Sequence, residues 1–420
     1  MRALWSAVME ASFGDGSLRM MKRLGLPLVV LGLAAAVAAC GSSSSNSSSS
    51  NTSTSSSSSS STPGVAQNAA ILDQLYAGKY TPWGEFSNPP PSPKPQPGKK
   101  VWIVSLAQSL TASAAAASGA TWAAHAMGWQ ATVCDGKGDT NTMLNCIRQG
   151  IAAKVNGIFM IYIDCPTVKA ALQQAHAAGI KLVADESYDC NQISAGAPSL
   201  YDYVVSYGGQ GHGMDFPTFL YHWGQAQAVW DIVKNNGHAH VIDFLETDAR
   251  TDFDVDRAIH KQIATCPGCS IVDTVDFTAP DLGPALQQKA QEAFLTHPDF
   301  NATTVSNDGT ITSGAGAAIR ASGRRSQIHI MGGECEPPNL QLIRSGGPQD
   351  ACVPLLTSWE GIAAMDGLNR LFHGAKVSNS MPTGMGLTVI DKEHNLPPSG
   401  VYASPINVHA AYLKAWGITG

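Results

Sequence analysis

The stretch GIFMIYIDCPTV, residues 157–168, constrains the fold most. Six apolar or aromatic residues run from Ile158 to Ile163, bounded by Gly157 and Pro166. A continuous run of this length suits a strand buried on both faces. After it, Val168, Ala171, Leu172, Ala175 and Ala178 recur at helical spacing, Gly179 ends the helix, and IKLVAD (180–185) begins a second apolar strand. Strand, helix and strand with short joints spell a parallel crossover. Ligands of open parallel sheets sit beyond the carboxyl ends of the strands, where Asp164 is expected to stand. A second reading makes Asp164 a helix cap whose oxygen accepts an orphan N–H. The local sequence leaves both open.

The same alternation extends along the chain. Strand patterns occupy 101–107, 131–135, 158–163, 181–184 and 203–207, and a second set occupies 239–245, 270–277, 302–307 and 328–332. Helical patterns lie between them at 113–127, 140–154, 216–235, 254–264, 282–295 and 311–321. Two consecutive sets predict an α/β chain of two doubly wound parallel-sheet lobes joined by a hinge, with a cleft between their strand ends. A length of 420 residues fits two such lobes. GGQGHG (208–213) reads as the hinge, since it lacks the spacing of a nucleotide-binding loop. A formal net charge of −6 with 14% charged residues gives no basic face for nucleic acid.

The first forty residues read as a targeting segment. Lys22 and Arg23 precede the apolar stretch 24–39, which is too short and alanine-rich to read as a membrane span. VAAC (37–40) followed by Gly41 resembles a bacterial lipobox, which makes Cys40 the expected lipidated residue and anchors the chain to the bilayer outside the cytoplasm. Residues 42–62 are nearly all Ser, a composition that cannot offset its ordering entropy and reads as a flexible tether. NPPPSPKPQPG (88–98) reads as a stiffer linker, with a short helix between the two around residues 68–80. The expected organisation is a signal over 1–40 and a tether over 41–98. The N-terminal lobe covers 99–208 plus about 357–388, and the C-terminal lobe covers 209–356 plus about 389–420. Without Cys40 the nine cysteines leave an even number, in keeping with export. Neighbours in sequence suggest the pairs Cys134–Cys146, Cys165–Cys190, Cys266–Cys269 and Cys335–Cys352.

The segment from Gly128 to Val183 resembles the N-terminal lobe of type I periplasmic sugar-binding proteins, the ribose-binding-like capture subunits of ABC importers. SNDGTITSGAGAAIRASG, IMGGECEPPNLQLIRSGG and WEGIAAMDGLNRLFHGA are similar to later segments of the same family, in the same order. The resemblance implies a lipid-anchored, monomeric receptor that holds a sugar or related polar molecule between its lobes and delivers it to a membrane permease. It implies that Asp164, Asn307, Glu334 and Gln108 contact ligand hydroxyls, with Glu186 a further candidate. Phe253 and Trp359 are the aromatic candidates, because sugar C–H faces pack on aromatic planes.

Two departures stand out. The family arginine early in the second lobe aligns with Asp254, with Arg250 and Arg257 nearby, and the polar residue before the late helix aligns with Leu355. A pocket holding Asp164, Asp254 and Glu334 with little positive charge is costly unless a cation enters it. The expected ligand therefore carries an amine or comes with a cation, and no resident cofactor or metal is expected. CPGC (266–269) follows a helical pattern and precedes a strand, so it reads as a structural disulfide rather than a redox site. HAH (238–240) places two imidazoles on one strand face with no third ligand in reach of the pattern. No GxSxG or HExxH motif occurs, so catalysis has no positive support. A receptor for a sensor kinase and an enzyme on the same scaffold are the alternatives.

Overall fold

A computed structural model describes residues 64–418. Cys40, the signal segment and the serine-rich tether up to residue 62 lie outside the described residues.

Two separate sheets carry the fold. The first holds β1 (Lys100–Ser105), β2 (Gln130–Asp135), β3 (Gly157–Ile161), β4 (Lys181–Asp185) and β5 (Tyr203–Val204), in the order β2-β1-β3-β4-β5. Every pairing in it is parallel. The second holds β6 (His240–Glu246), β7 (Ser270–Phe277), β8 (Ala302–Val305), β9 (His329–Met331), β10 (Ala351–Cys352) and β11 (Ile390–Asp391). Its order is β11-β10-β9-β8-β6-β7, with only β10 and β11 antiparallel. All five residues of β3 are buried, as its unbroken apolar run requires. The two-lobed expectation is borne out.

Helices α1 (Val65–Tyr76), α2 (Thr111–Ala126), α3 (Thr140–Ala152), α4 (Cys165–Ala177), α5 (Phe216–Lys234), α6 (Arg250–Ile263), α7 (Pro284–Thr296), α8 (Gly316–Ala321), α9 (Pro337–Ser345), α10 (Thr357–Phe372) and α11 (Val408–Ala415) cover the sheets. The chain passes between the sheets at 205–215, at 353–356 and at 373–389, and it returns over 392–407, so that α11, expected with the C-terminal lobe, packs on α2 and α10 through Trp122–His409 and Trp416–Asp366. GGQGHG lies in the first crossing, and Gly208 accepts backbone bonds there from Thr383 and Gly384 of the third. The first and third crossings therefore run side by side, as strands of a hinge should.

Helix α10 follows five of the six strands of the second sheet in sequence but packs on α2 and β4 of the first. Its contact with α2 depends on two glycines. A Cβ on Gly361 would lie 2.0 Å from the Ala116 carbonyl oxygen, and one on Gly119 would lie 2.0 Å from that of Ser358. The alanine-rich face of α2 is what lets the two backbones meet.

The Pro-rich segment does not stand free as a linker. Arg370 donates to the carbonyls of Pro90 (3.1 Å) and Pro91 (2.9 Å), and Asn369 to that of Pro93 (2.7 Å). Prolines lack the N–H but keep the acceptor, so an extended Pro run offers carbonyls that buried donors on α10 can use. Ahead of it, α1 docks on α5 with Leu72 and Leu75 buried, and Gln262 donates to the Asn68 side chain at 2.6 Å.

All four suggested disulfides are present. Cys165–Cys190 ties the loop after β3 to the loop after β4, across a separation of 25 residues. A loop of that length corresponds to about 3 kcal/mol in the chain-entropy picture. The Cys165→Ser/Cys190→Ser double variant should lose about that much in urea unfolding. An unchanged midpoint would show that the bridge does not brace this edge.

Candidate binding site between the two sheets

The tips of β3 and β4 are built alike. Tyr162 (φ 59°) and Glu186 (φ 42°) each follow the last residue of their strand in left-handed conformation. Such backbone costs on the order of 1–3 kcal/mol for a residue with a Cβ and persists where the surroundings over-determine it. The Tyr162 N–H donates to the Asp185 carbonyl at 3.1 Å, which locks the two tips together. Both side chains are thereby turned toward α10, whose Glu360 is 1% exposed and faces Asp185 and Glu186.

This places three carboxyls in one buried cluster. Burial, and then mutual repulsion, holds Asp185 and Glu360 well above the usual carboxylate range. Burial pushes Glu186 up to about 7. The groups that shift them are acids and phenols. The Tyr207 hydroxyl donates to Asp185 at 3.4 Å. Asp185 Oδ2, Glu186 Oε1, Glu360 Oε2 and the Tyr162 hydroxyl are buried without a hydrogen-bond partner. Unpaired buried polar atoms are expensive, and four of them gather where the tips of β3 and β4 meet α10.

The facing wall comes from the second sheet. Glu334, after β9, accepts the Asp308 N–H at 2.7 Å, and Asp308 in return accepts the N–H groups of Gly333 (2.8 Å) and Glu336 (2.7 Å). Burial and the Asp308 charge raise Glu334 well above its usual range, and burial pushes Asp308 up to about 7. The Glu334 charge also acts on the Tyr162 hydroxyl, so the two walls face each other there. Beside Glu334 opens a largely apolar cavity of about 450 Å³, between the start of α2, the 353–356 crossing, the start of α10 with Trp359, and the 401–409 segment. That volume suits a small ligand.

The expected contact residues divide. Glu186, Glu334 and Trp359 stand at this interface; Trp359 is buried, lines the cavity and donates to the Tyr412 hydroxyl at 3.3 Å. Asp164 sits at the N-cap position of α4 but makes no capping bond. Its Oδ1 accepts the Tyr188 N–H at 2.7 Å instead. Burial raises Asp164, and Arg250 partly offsets this. Asp254 accepts from the Tyr188 hydroxyl and from Arg257, while the Arg250 guanidinium lies 4.9 Å from the Tyr188 ring centre. Asp164 and Asp254 therefore flank a Tyr188-centred contact between the sheets, with arginines close by. That corrects the expectation of an uncompensated Asp164, Asp254 and Glu334 pocket: the uncompensated acids are Asp185, Glu186 and Glu360, with Glu334 opposite.

Asn307 spends its amide inside the second lobe. It donates to Glu246 at 2.9 Å and accepts the Thr310 N–H at 3.0 Å, as an N-cap. Gln108 lines a shallow hollow between α2 and β2 with Thr121, Trp122 and His125. Phe253 is 45% exposed on the first turn of α6, which leaves its ring without the enclosed contact expected of a stacking residue. Tyr162, Asp185, Tyr207 and Glu360 were not anticipated. Tyr162 reads as part of an apolar run and Asp185 as the end of a strand. Glu360 lies far along the chain from both.

The raised acids fix the sign of a pH effect. A carboxyl whose folded pKa lies above its unfolded value contributes stability below the unfolded value, and that contribution fades as pH rises through the folded one. Glu186, Glu246 and Asp308 are pushed up to about 7 and Asp252 to about 6, chiefly by burial. The melting temperature of the unliganded protein should therefore fall from pH 5 to pH 8. A melting temperature that rises across this window would contradict the placement of these acids. Asp391 acts in the opposite sense and at lower pH. Despite burial, bonds from Tyr76, His394, Lys234 and Trp230 hold it below the usual range, so its contribution is lost only under acid conditions.

Residues 107–371 match the periplasmic binding protein domain family, more than half of the chain. The chain belongs to that family. No curated protein sequence matches it significantly. Among solved structures, an ABC transporter solute-binding protein from Mycobacterium smegmatis with bound glycerol superposes with a TM-score of 0.58 at 18% identity, covering 73% of this chain and 100% of that one. A periplasmic solute-binding protein from Actinobacillus succinogenes with bound D-allose gives 0.58 at 17%, covering 71% and 98%. A sugar-binding protein of a sugar ABC transporter from Bacillus halodurans gives 0.59 at 17%, covering 70% and 98%. At these identities the likeness is one of fold. In this periplasmic binding protein, as the family fold requires, the strand ends of both sheets point into the interface that holds the acid cluster and the cavity. No helix among the described residues is long and apolar enough to cross a membrane.

Proposed function

We propose that this periplasmic binding protein captures a small, hydroxyl-bearing, positively charged molecule between its lobes, an amino-sugar or amino-polyol in chemical class, and presents it to an ABC permease. Cys40 serves as its lipid anchor outside the cytoplasm. The observation that carries this reading is the buried Asp185–Glu186–Glu360 cluster, which has unpartnered oxygens and no cation among its shifting neighbours. A ligand ammonium would supply the missing charge. Its hydroxyls would satisfy Tyr162 and Glu334, and its carbon face would pack beside Trp359. A ligand that contacts both walls favours the state in which they meet, by the difference of its affinity for the two states. That state is the joint surface a permease would read.

A thermal-shift and calorimetric panel tests the ligand class with neutral pentoses and hexoses, polyols, amino-sugars and polyamines. Amino-sugars should give the largest shift, weakening as pH falls through about 7 and the cluster takes up protons. Binding confined to neutral sugars would overturn the charged class and leave the receptor role standing. Silence across the whole panel, with no small molecule retained in native mass spectrometry, would count against the receptor role itself.

A further inference from the structure

We propose that Asp243, Asp256 and His260 form a binding site for one divalent transition-metal ion of the zinc class, separate from the interlobe site. Asp243 is the middle residue of β6 and is 1% exposed. Asp256 and His260 lie one turn apart on α6, the spacing that puts two ligands on one helix face. The His260 Nε2 is 3.4 Å from Asp243 Oδ2 and 3.1 Å from Asp256 Oδ1. All three atoms lie within 4.8 Å of one another.

The geometry favours a shared ion over a plain ion pair. Asp243 Oδ2, Asp256 Oδ1 and His260 Nε2 are all buried, yet none has a hydrogen-bond partner. Three groups converge at ion-pair separations without an aligned hydrogen bond between them, and a nearly fully buried carboxylate brings its free oxygen to that cluster. With metal–ligand bonds of about 2.0–2.1 Å, the ligand–ligand edge of a tetrahedral zinc site is about 3.3 Å. Both measured separations bracket that edge. One imidazole and two carboxylates suit zinc or a neighbouring transition metal, with water as the fourth ligand. The His260 side chain is 40% exposed and that of Asp256 21%, which gives an ion a way in. The second convergent group, Cys165, Asp189 and Cys190, has both sulfurs committed to a disulfide.

The ion would pin α6 to β6. The first turns of α6 carry Arg250 and Asp254, which engage Tyr188 of the other lobe. A metal here would steady the helix that makes this contact while standing in mid-strand, away from the strand tips.

The test uses the purified chain, stripped with chelator and dialysed. Zinc is titrated by calorimetry near neutral pH, and retained metal is counted by elemental mass spectrometry. One equivalent should bind and raise the melting temperature. Asp256→Asn and His260→Gln should each weaken that binding at least roughly 100-fold, whereas His238→Gln should retain it. Should His260→Gln fail to fold, Asp256→Asn decides, since its side chain reaches solvent. Absence of bound zinc in the stripped and reloaded protein would overturn the proposal, leaving these groups an ion pair only. Zinc binding that survives in both variants, or tighter binding of magnesium than of zinc at this site, would overturn it equally.

Discussion

Glu360→Gln should make the unliganded protein more stable at pH 8 and cripple its capture of a cationic ligand. In the wild type, Glu360 is 1% exposed and faces both Asp185 and Glu186. Above neutral pH its side chain must either hold a proton against the solution or become a further charge in a buried acid cluster. Glutamine keeps the shape and supplies a permanent N–H donor to the neighbouring carboxyls, so the penalty disappears. A buried polar group left unsatisfied costs about 1–3 kcal/mol, so a gain of that order is expected at pH 8, shrinking toward pH 5 as the wild-type acid takes up its proton. Ligand affinity should move the other way. A buried hydrogen bond to a charged group is worth about 1.5–3 kcal/mol, so loss of the Glu360 charge should weaken binding roughly 10- to 100-fold. Circular-dichroism melts at both pH values and calorimetry with the best amino-sugar read the two effects. A variant that loses stability at pH 8 and binds normally would show that Glu360 is an ordinary core acid. The opposed signs matter, because damage to the core alone would lower both.

Gly361→Ala, one position along the same helix, should be among the most disruptive single-methyl changes in the described residues. The new Cβ would lie 2.0 Å from the Ala116 carbonyl oxygen of α2, a backbone atom that no rotamer change can move aside. The two helices must separate, and a well-packed interface pays for that in lost contacts across its whole length. A loss of about 3 kcal/mol or more is expected, enough to send much of the protein into inclusion bodies. Gly138→Ala is the comparison. It has open space around its Cβ but a φ of +66°, so it should cost only about 1–2 kcal/mol. Equal effects in the two variants, read by urea unfolding, would contradict the close approach of α2 and α10.

The sequence made the sheets legible because strands buried on both faces are written as unbroken apolar runs, such as Ile158–Ile163. It did not reveal β10 and β11, two residues each, which extend the sheet by pairing β10 on β9 and β11 on β10 rather than through any pattern of their own. The disulfides were legible for a related reason. Each joins neighbouring cysteines: adjacent parallel strands bring Cys165–Cys190 and Cys335–Cys352 together, while Cys134–Cys146 ties β2 to the helix that follows it. The site was read less well. Asp164 and Asp254 carry the right chemistry at the right strand ends, yet the fold gives them Tyr188, with Arg250 and Arg257 nearby. Local sequence could not foresee that sharing. The acids left uncompensated come from the tip of β4 and from α10, which are distant in sequence and meet only because the chain crosses back to the first sheet after completing most of the second. Phe253 shows the converse. An aromatic at a helix start after a strand fits a stacking role, but the helix phase turns it outward.

An experimental structure with the tightest-binding panel ligand tests the central claim most directly. The ligand should lie between the strand tips of the two sheets, with an ammonium among Asp185, Glu186 and Glu360 and at least one contact to Glu334 on the facing wall. A ligand seated on an outer face, or held by one lobe with the three carboxyls untouched, would contradict the account.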